Sequence, residues 1–154
     1  KTVGPLVRHV LQEDFPTLGT CFGHQLLGHF AGGSVVLDPE MAETGFASIQ
    51  VNQGAELDPV FKDIPKEFRA VVGHQDSVVG LPRHVQVLAS TDRCPTQALR
   101  FGKNVYTTQF HSEMDADDLM YRINLFPHYR QYAQSLDPVP TPYSVKILQN
   151  FLSV

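Results

Sequence analysis

The chain has 154 residues, of which 42% are hydrophobic and 18% are charged, a composition typical of a globular domain with its own core. This length predicts one domain over residues 1–154 and argues against a disordered or repetitive chain. The formal net charge is −4 and the Lys and Arg residues are scattered, which excludes the basic face of a nucleic-acid-binding protein.

The number of cysteines and the length of the hydrophobic runs indicate the cellular compartment of the protein. Cys21 and Cys94 are the only two cysteines, and they form neither a disulfide framework nor a C-x-x-C metal pair, which is typical of a reducing environment. No apolar run approaches the roughly 20 residues that span a bilayer, and the N-terminus lacks a signal-peptide pattern. We expect a cytoplasmic protein with no membrane partner, no metal site and no cofactor.

The first half of the chain predicts two helices and then strands. Helical spacing over residues 3–11 predicts an opening helix, and PTLGT, residues 16–20, a short strand. A second helix is expected to begin near Phe22 and to end at Gly32-Gly33. SVVLD, residues 34–38, and GFASIQV, residues 45–51, are predicted strands, and the acidic, proline-containing residues 58–68 are predicted to form a loop.

The second half is rich in predicted strands and ends in helices. The predicted strands are RAVVG, VQVLAS, TQALRF and NVYTTQF, and the last two form a hairpin at Gly102-Lys103. Asp115 is predicted to cap a helix that Pro127 ends, and Thr141 with Pro142 begins a final helix. Helices at both ends of a strand-rich centre predict an α/β layered domain.

The segment GTCFG, residues 19–23, places Cys21 between a predicted strand and a predicted helix. Its two glycines allow the sharp turn of a nucleophile elbow, with the Cys21 side chain projecting from a strained backbone. Free N–H groups at a helix N-terminus favour a thiolate, and the N–H of Phe22 can bind an oxyanion. A small buried core residue is the alternative for Cys21 taken alone. A metal role lacks a second ligand, and a redox role lacks a resolving cysteine.

In VYTTQFHSEM, residues 105–114, His111 and Glu113 stand two positions apart at the end of a predicted strand. Alternate strand residues point to the same face, so both side chains are expected on one side. If His111 reaches Cys21, its imidazole can hold the thiolate and protonate a leaving amine, while Glu113 orients the ring. A histidine bonded only to backbone is the alternative, and the combination with Cys21 favours a catalytic role.

Three segments stand in a fixed order along the chain: LGTCFGHQLLGHFAGGSV, VVGHQDSVVGLP and TTQFHSEM. They resemble the nucleophile, His-x-Asp and Gln-x-His-Pro-Glu segments of the class I glutamine amidotransferases, especially the stand-alone, GMP-synthase-like branch. The resemblance extends from Thr17 to Glu113. It implies a three-layer α/β fold, flavodoxin-like, in which helices flank a mostly parallel sheet.

The resemblance also implies roles for individual residues. It makes Cys21 the nucleophile, His111 the base and acid, and Glu113 the orienting carboxylate. It implies four substrate-binding residues: Phe22 through its N–H group, Gln25 through its side chain, and Asp76 and Ser77 beside the α-amino and α-carboxylate groups of the substrate.

Other residues of these segments carry weaker expectations. His24 and His74 belong to the motifs, and a packing or hydrogen-bonding role is expected for them at least as much as catalysis. Glu43 resembles a family position near the substrate loop, but a solvated carboxylate is the preferred interpretation. Cys94 precedes a proline, has no histidine nearby in the sequence, and is expected to be structural.

The chain departs from the family pattern in two places. Ser112 stands where the family usually has proline, although the spacing of His111 and Glu113 is unchanged. The family domain also has an N-terminal region with a glycine-containing loop that supplies a second oxyanion N–H. Because this chain begins with Lys1 in the body of the domain, we expect that it is the C-terminal two-thirds of that domain, incomplete at the N-terminus, and that half of the oxyanion hole lies in the missing part.

The favoured function is hydrolysis of the glutamine side-chain amide through a cysteine thioester, which releases glutamate and passes ammonia to an acceptor, a synthetase domain or subunit that the sequence does not identify. One alternative is hydrolysis of γ-glutamyl peptides by the same three residues. Another is a non-catalytic regulatory or binding module that keeps the fold, which the presence of Cys21, His111 and Glu113 disfavours.

Overall fold

The computed structural model describes residues 3–154, which contain four α-helices and nine β-strands. Three short 3₁₀ helices lie between them, at Ala55–Leu57, Pro59–Phe61 and Pro127–Tyr132. The α-helices and strands, in chain order, are α1 (Val3–Gln12), β1 (Thr17–Thr20), α2 (Phe22–Phe30), β2 (Ser34–Leu37), β3 (Glu43–Val51), β4 (Glu67–His74), β5 (Asp76–Val79), β6 (Gln86–Ser90), β7 (Ala98–Phe101), β8 (Val105–Thr108), α3 (Ala116–Leu125), β9 (Ala133–Ser135) and α4 (Pro142–Phe151).

Seven of the described strands form one sheet in the order β1-β8-β7-β6-β3-β4, with β9 paired to β3. The pairs β1·β8 and β3·β9 are parallel, and the remaining four pairs are antiparallel. β2 and β5 form a separate antiparallel pair. The α/β class with flanking helices is confirmed, but among the described strands the sheet is mixed rather than mostly parallel. Short turns connect β6, β7 and β8, and such turns can join only antiparallel neighbours.

Two clusters of apolar side chains hold helices against opposite faces of the sheet. Neighbouring residues of a strand point to opposite faces, so Leu99 faces one layer and Ala98 the other. The first cluster joins α1 and α2 to the sheet and contains Val7, Val10, Leu27, Leu99, Phe101 and Val105. The second includes Ile147 of α4 together with Phe61, Phe68, Ala98, Tyr106 and Phe110. The three-layer arrangement is therefore present in the described residues.

Most of the predicted elements are confirmed, including the β7–β8 hairpin and the Asp115 cap. The Asp115 side chain accepts hydrogen bonds from the N–H groups of residues 117 and 118, and a capping box is complete. β5, β9 and the 3₁₀ helices were not predicted from the sequence. β9 has only three residues and depends on pairing with β3, a partner that is distant in the chain. No helix within residues 3–154 combines the length and the apolar character needed to cross a membrane.

The register of β1 and β8 places the candidate site. These strands run in parallel, with Thr20 opposite Thr108. The residues that follow them, Cys21 and Gln109, therefore emerge side by side at the carboxyl ends of two neighbouring strands. Such carboxyl ends are where α/β sheets bind ligands.

Candidate active site

Cys21 occupies a strained turn between β1 and α2. Its backbone angles are φ 49° and ψ −98°, a conformation that costs a non-glycine residue of order 1–3 kcal/mol. Two hydrogen bonds hold it: the Cys21 N–H donates to the Thr108 carbonyl at 2.8 Å, and the Cys21 carbonyl accepts from the Gln25 N–H at 3.1 Å. The predicted elbow is confirmed, and the Cys21 side chain is partly exposed rather than buried.

The two glycines of the elbow have different structural roles. A Cβ on Gly19 would lie 2.9 Å from Leu27 Cδ1 and 3.0 Å from the carbonyl carbon of Gly23. A Cβ on Gly23 would meet nothing within 4 Å. The close approach of strand and helix therefore requires glycine at position 19, whereas position 23 contributes its backbone to that contact and has open space at its own Cβ.

His111 and Glu113 follow β8 and lie against each other. The His111 N–H donates to the Val71 carbonyl at 2.8 Å, which ties the segment to β4. The His111 Nδ1 atom lies 2.6 Å from Glu113 Oε1. The histidine side chain is 5% exposed, whereas that of Glu113 is 50% exposed, so the carboxylate closes the open side of a buried ring.

Contacts with Cys21 and Glu113 set the protonation of His111. Burial alone would lower the pKa of His111, but hydrogen bonds with Cys21 and Glu113, and the charges of both, raise it to about 9. Burial also acts to raise the pKa of Glu113, and the hydrogen bond with His111 outweighs it and lowers that pKa below its ordinary value. The raised pKa of His111 and the lowered pKa of Glu113 both favour a protonated imidazolium beside an ionised carboxylate.

Gln109 and Gln25 form a second group of contacts around the Cys21 sulfur. Gln109 Nε2 lies 3.6 Å from Cys21 Sγ. Gln25 Nε2 lies 3.3 Å from Gln109 Oε1 and 3.0 Å from the Asp76 carbonyl oxygen. The Gly73 carbonyl oxygen lies 4.0 Å from Cys21 Sγ on another side. Gln109 was not identified from the sequence, although it stands two positions before His111, at the spacing of one strand face.

The predicted substrate-binding residues differ in their placement. Phe22 is 70% exposed, and its N–H group lies in the first turn of α2, where helical N–H groups have no intrahelical partner. Gln25 and the Asp76 backbone lie together beside Cys21. Ser77 is buried and its Oγ contacts Cys94 Sγ at 3.7 Å, so its side chain does not belong to the cluster around Cys21.

His24 lies on α2 and is buried. Its Nδ1 atom lies 2.8 Å from Thr107 Oγ1. Burial, and then the nearby His74, lower the pKa of His24 to about 3, so it is neutral. A neutral, enclosed imidazole bonded to a strand hydroxyl fits the expected hydrogen-bonding role for His24.

A buried polar network lies at the end of β4. Glu43 is 1% exposed, which corrects its interpretation as a solvated carboxylate: the pairing of β3 with β4 places it opposite His74. Its oxygens contact His74 Nε2 at 3.2 Å and accept from Thr91 Oγ1 at 2.9 and 3.1 Å and from Gln97 Nε2 at 2.5 Å. His74 Nδ1 also contacts the Asp76 carbonyl oxygen at 3.1 Å.

Glu43, His74 and Cys94 each offer one potential metal-ligand atom, and these atoms lie within 4.8 Å of one another. A metal would need a thiolate, yet burial raises the pKa of the Cys94 thiol. The Glu43 oxygens already accept hydrogen bonds from Thr91 and Gln97. This cluster is organised as a hydrogen-bond network, and the absence of a metal site stays a prediction.

Solved structures share the fold of this chain. A glutamine amidotransferase from Thermotoga maritima matches 98% of this chain and 66% of its own, with a TM-score of 0.78 and 21% identity. A glutamine amido transferase from Methylobacillus flagellatus matches 98% of this chain and 64% of its own, with a TM-score of 0.73 and 20% identity.

Relatives in sequence carry a more specific name. One of the subunits of the glutamine-hydrolysing GMP synthase of Pyrococcus abyssi is 38% identical over 100 residues, which are 64% of this chain and 51% of the relative. The corresponding GMP synthase subunit from Methanosphaera stadtmanae is 34% identical over 114 residues, 73% of this chain and 59% of the relative. The chain thus spans little more than half the length of these relatives.

The family model for "Glutamine amidotransferase class-I" matches residues 4–120, a range that includes the Cys21 elbow, the network at the end of β4 and the His111–Glu113 pair. The match covers more than half of the chain and agrees with the fold of the solved structures. This chain belongs to the class I glutamine amidotransferase family.

Proposed function

We propose that Cys21, His111 and Glu113 hydrolyse the side-chain amide of glutamine to glutamate and ammonia. The observation that carries this proposal is the position of Cys21 at a strained elbow, where its sulfur helps to raise the pKa of His111, whose Nδ1 lies 2.6 Å from Glu113 Oε1. Nucleophile, base and orienting group in this order form the arrangement of a cysteine-dependent acyl transfer.

The first half of the reaction forms a thioester. The Cys21 thiolate attacks the amide carbonyl carbon, and the negative charge moves to the carbonyl oxygen. The N–H of Phe22, at the N-terminus of α2, is the donor on this chain that would stabilise the oxyanion. The C–N bond then breaks, and His111 gives its proton to the leaving nitrogen, so that ammonia departs.

The second half of the reaction returns the enzyme to its starting state. Neutral His111 takes a proton from water, and the hydroxide attacks the thioester carbonyl. The C–S bond breaks, glutamate leaves, and the Cys21 sulfur and His111 are again a thiolate and an imidazolium. Glu113 keeps the His111 ring in one orientation through both steps.

We further propose that Gln25 and the Asp76 backbone form one wall of the glutamine pocket. They lie beside Cys21 and are joined by a hydrogen bond of 3.0 Å. The Asp76 side chain is partly exposed, and its carboxylate is suited to the α-ammonium group of glutamine. Ser77 would contribute through its backbone, since its hydroxyl faces Cys94.

We propose that the ammonia passes to an acceptor on a further subunit or domain. The relatives from Pyrococcus abyssi and Methanosphaera stadtmanae are each named as one lettered subunit of a GMP synthase, a name that implies a second subunit.

Labelling with a glutamine-like chloroketone tests the nucleophile. We expect mass spectrometry of the full chain to show alkylation at Cys21 and protection by glutamine. Cys94, which is fully buried, is the internal control and should stay unlabelled. Folded protein in which Cys21 is not labelled, or is labelled equally with and without glutamine, would overturn the proposal.

A release assay tests the substrate class. Ammonia release from glutamine and amino-acid release from γ-glutamyl dipeptides are compared, with Cys21→Ser as the inactive reference. We expect glutamine to be the faster substrate. Faster cleavage of the dipeptides would instead indicate a γ-glutamyl peptide hydrolase.

A further inference from the structure

A chain of hydrogen bonds runs from a backbone carbonyl to the Cys21 sulfur. It begins at the Asp76 carbonyl oxygen, continues through the Gln25 side chain at 3.0 Å and the Gln109 side chain at 3.3 Å, and ends at Cys21 Sγ at 3.6 Å. The two side-chain amides therefore link the Asp76 backbone to the sulfur.

The Asp76 carbonyl oxygen fixes the donor and the acceptor of every hydrogen bond in this series. A carbonyl oxygen can only accept, so the group of Gln25 that faces Asp76 must be its NH₂. The same NH₂ lies next to Gln109, which must present its carbonyl oxygen there. The NH₂ of Gln109 is left facing Cys21, and an amide NH₂ can only donate.

Burial holds Gln109 in this position. Its side chain is completely buried, and its backbone N–H donates to the Gln97 carbonyl at 2.8 Å. A rotated side chain would lose the bond to Gln25 and leave a buried amide without a partner, at a cost of about 1–3 kcal/mol. The donor is therefore fixed toward the sulfur before any substrate arrives.

The contacts around Cys21 Sγ favour the thiolate over the thiol. As a thiol it can donate to the Gly73 carbonyl, a weak contact at 4.0 Å. As a thiolate it accepts from Gln109 Nε2 at 3.6 Å, and its charge is one of the causes that raise the pKa of His111. Hydrogen bonds to a charged acceptor are roughly twice as strong as neutral ones, so the Gln109 contact favours the thiolate.

We propose that Gln109 is a further catalytic residue, whose side-chain NH₂ donates a hydrogen bond to the Cys21 thiolate, and that Gln25 is the positioning residue that fixes the orientation of this donor. The proposal rests on the proposed function in taking Cys21 as the nucleophile. The proton that leaves the sulfur goes to His111, and Gln109 keeps both of its amide protons throughout.

The rate of Cys21 alkylation by iodoacetamide, measured against pH in the full chain, tests the proposal without any turnover of glutamine. Gln109→Met removes the donor at nearly constant volume, and we expect the pH midpoint of alkylation to rise by about one unit. Gln109→Asn, whose shorter amide falls out of reach of the sulfur, should give the same shift if the methionine variant fails to fold.

Gln97→Met is the matched control. Gln97 is equally buried and lies beside Gln109 in the backbone ladder, but its side chain binds Glu43 rather than Cys21. In Gln97→Met, the pH midpoint of Cys21 alkylation should stay at the value of the unsubstituted chain. Midpoints unchanged in the folded Gln109 variants, or raised equally in Gln97→Met, would overturn the proposal.

The test substitutes no other titratable group near Cys21. The titratable residues on the elements packed around Cys21 include His111, Glu113, His24, His74, Glu43 and Asp76, with His29 on α2 and Arg69 on β4, and none is substituted. NMR of the unsubstituted chain gives a second readout: the Gln109 side-chain amide protons should shift downfield as the sulfur loses its proton. Amide protons that do not follow this titration would contradict the hydrogen bond.

A failure of this proposal can be distinguished from a failure of the proposed function. Chloroketone labelling that glutamine suppresses, together with unchanged alkylation midpoints, would leave Cys21 as the nucleophile and exclude Gln109 as its donor. Raised midpoints without ammonia release would establish the hydrogen bond and leave the reaction unsupported.

Discussion

The His111 Nδ1 atom lies 2.6 Å from Glu113 Oε1, and this contact joins a buried ring to a half-exposed carboxylate. Because Nδ1 is occupied, only Nε2 of His111 is left to serve the Cys21 sulfur. The carboxylate therefore determines both the tautomer and the direction of the imidazole.

Glu113→Gln is expected to lower the rate of glutamine hydrolysis by a factor of about 10² to 10⁴, since an amide can hold the ring in the wrong tautomer. Steady-state ammonia release would measure the change. Glu56→Gln is the control, because Glu56 has a side chain of similar exposure, 48%, paired with Lys66. Similar rates for the two variants would contradict an orienting role for Glu113.

The raised pKa of His111 makes stability depend on pH. Its folded value of about 9 lies above the ordinary 6.5, so protonated His111 stabilises the fold. This contribution is complete below the lower value and is lost as the pH rises through the upper one. We expect the free energy of unfolding, measured by urea titration, to fall across this range.

Cys21→Ala should reduce this pH dependence, because burial still lowers the pKa of His111 while the hydrogen bond with the sulfur is gone. NMR titration of the His111 ring should give a pKa below that of the unsubstituted chain. Titrating groups other than His111 and Cys21 are common to both proteins and cancel in the comparison. Equal slopes of stability against pH would show that the sulfur has no effect on His111.

The two elbow glycines should respond differently to alanine. Gly19→Ala forces a Cβ to 2.9 Å from Leu27 Cδ1 and 3.0 Å from the Gly23 backbone, and we expect a loss of about 1–3 kcal/mol in the free energy of unfolding. Gly23→Ala places its Cβ in open space within α2 and should be neutral or stabilising. Equal losses in urea denaturation would contradict this packing of strand against helix.

The candidate site was predictable where its residues are close in sequence. Cys21 stands in a glycine-flanked turn, and His111 and Glu113 share one face at the end of a strand, so local patterns identify them. Gln109 stands on the same face and could have been found by the same spacing, but its contacts with Cys21 and Gln25 depend on the β1–β8 register.

Features that depend on distant pairing were predicted less well. Glu43 looked like a solvated carboxylate, because nothing near it in the sequence shows that β3 pairs with β4 and places it against His74. The mixed character of the sheet was missed for a related reason. The resemblance implied parallel strands, whereas short turns make β6, β7 and β8 antiparallel neighbours.

Glu43→Gln tests the network at the end of β4. An amide at position 43 would turn an NH₂ toward the donors of Thr91 and Gln97, which now lie 2.9 and 2.5 Å from carboxylate oxygens. We expect a loss of about 1–3 kcal/mol in the free energy of unfolding, because an amide cannot accept from both buried donors and leaves one of them unsatisfied. Glu67→Gln, an exposed position of β4, is the control and should change stability by no more than about 0.5 kcal/mol. Comparable urea midpoints for the two variants would mean that the Glu43 carboxylate contributes nothing beyond an exposed one.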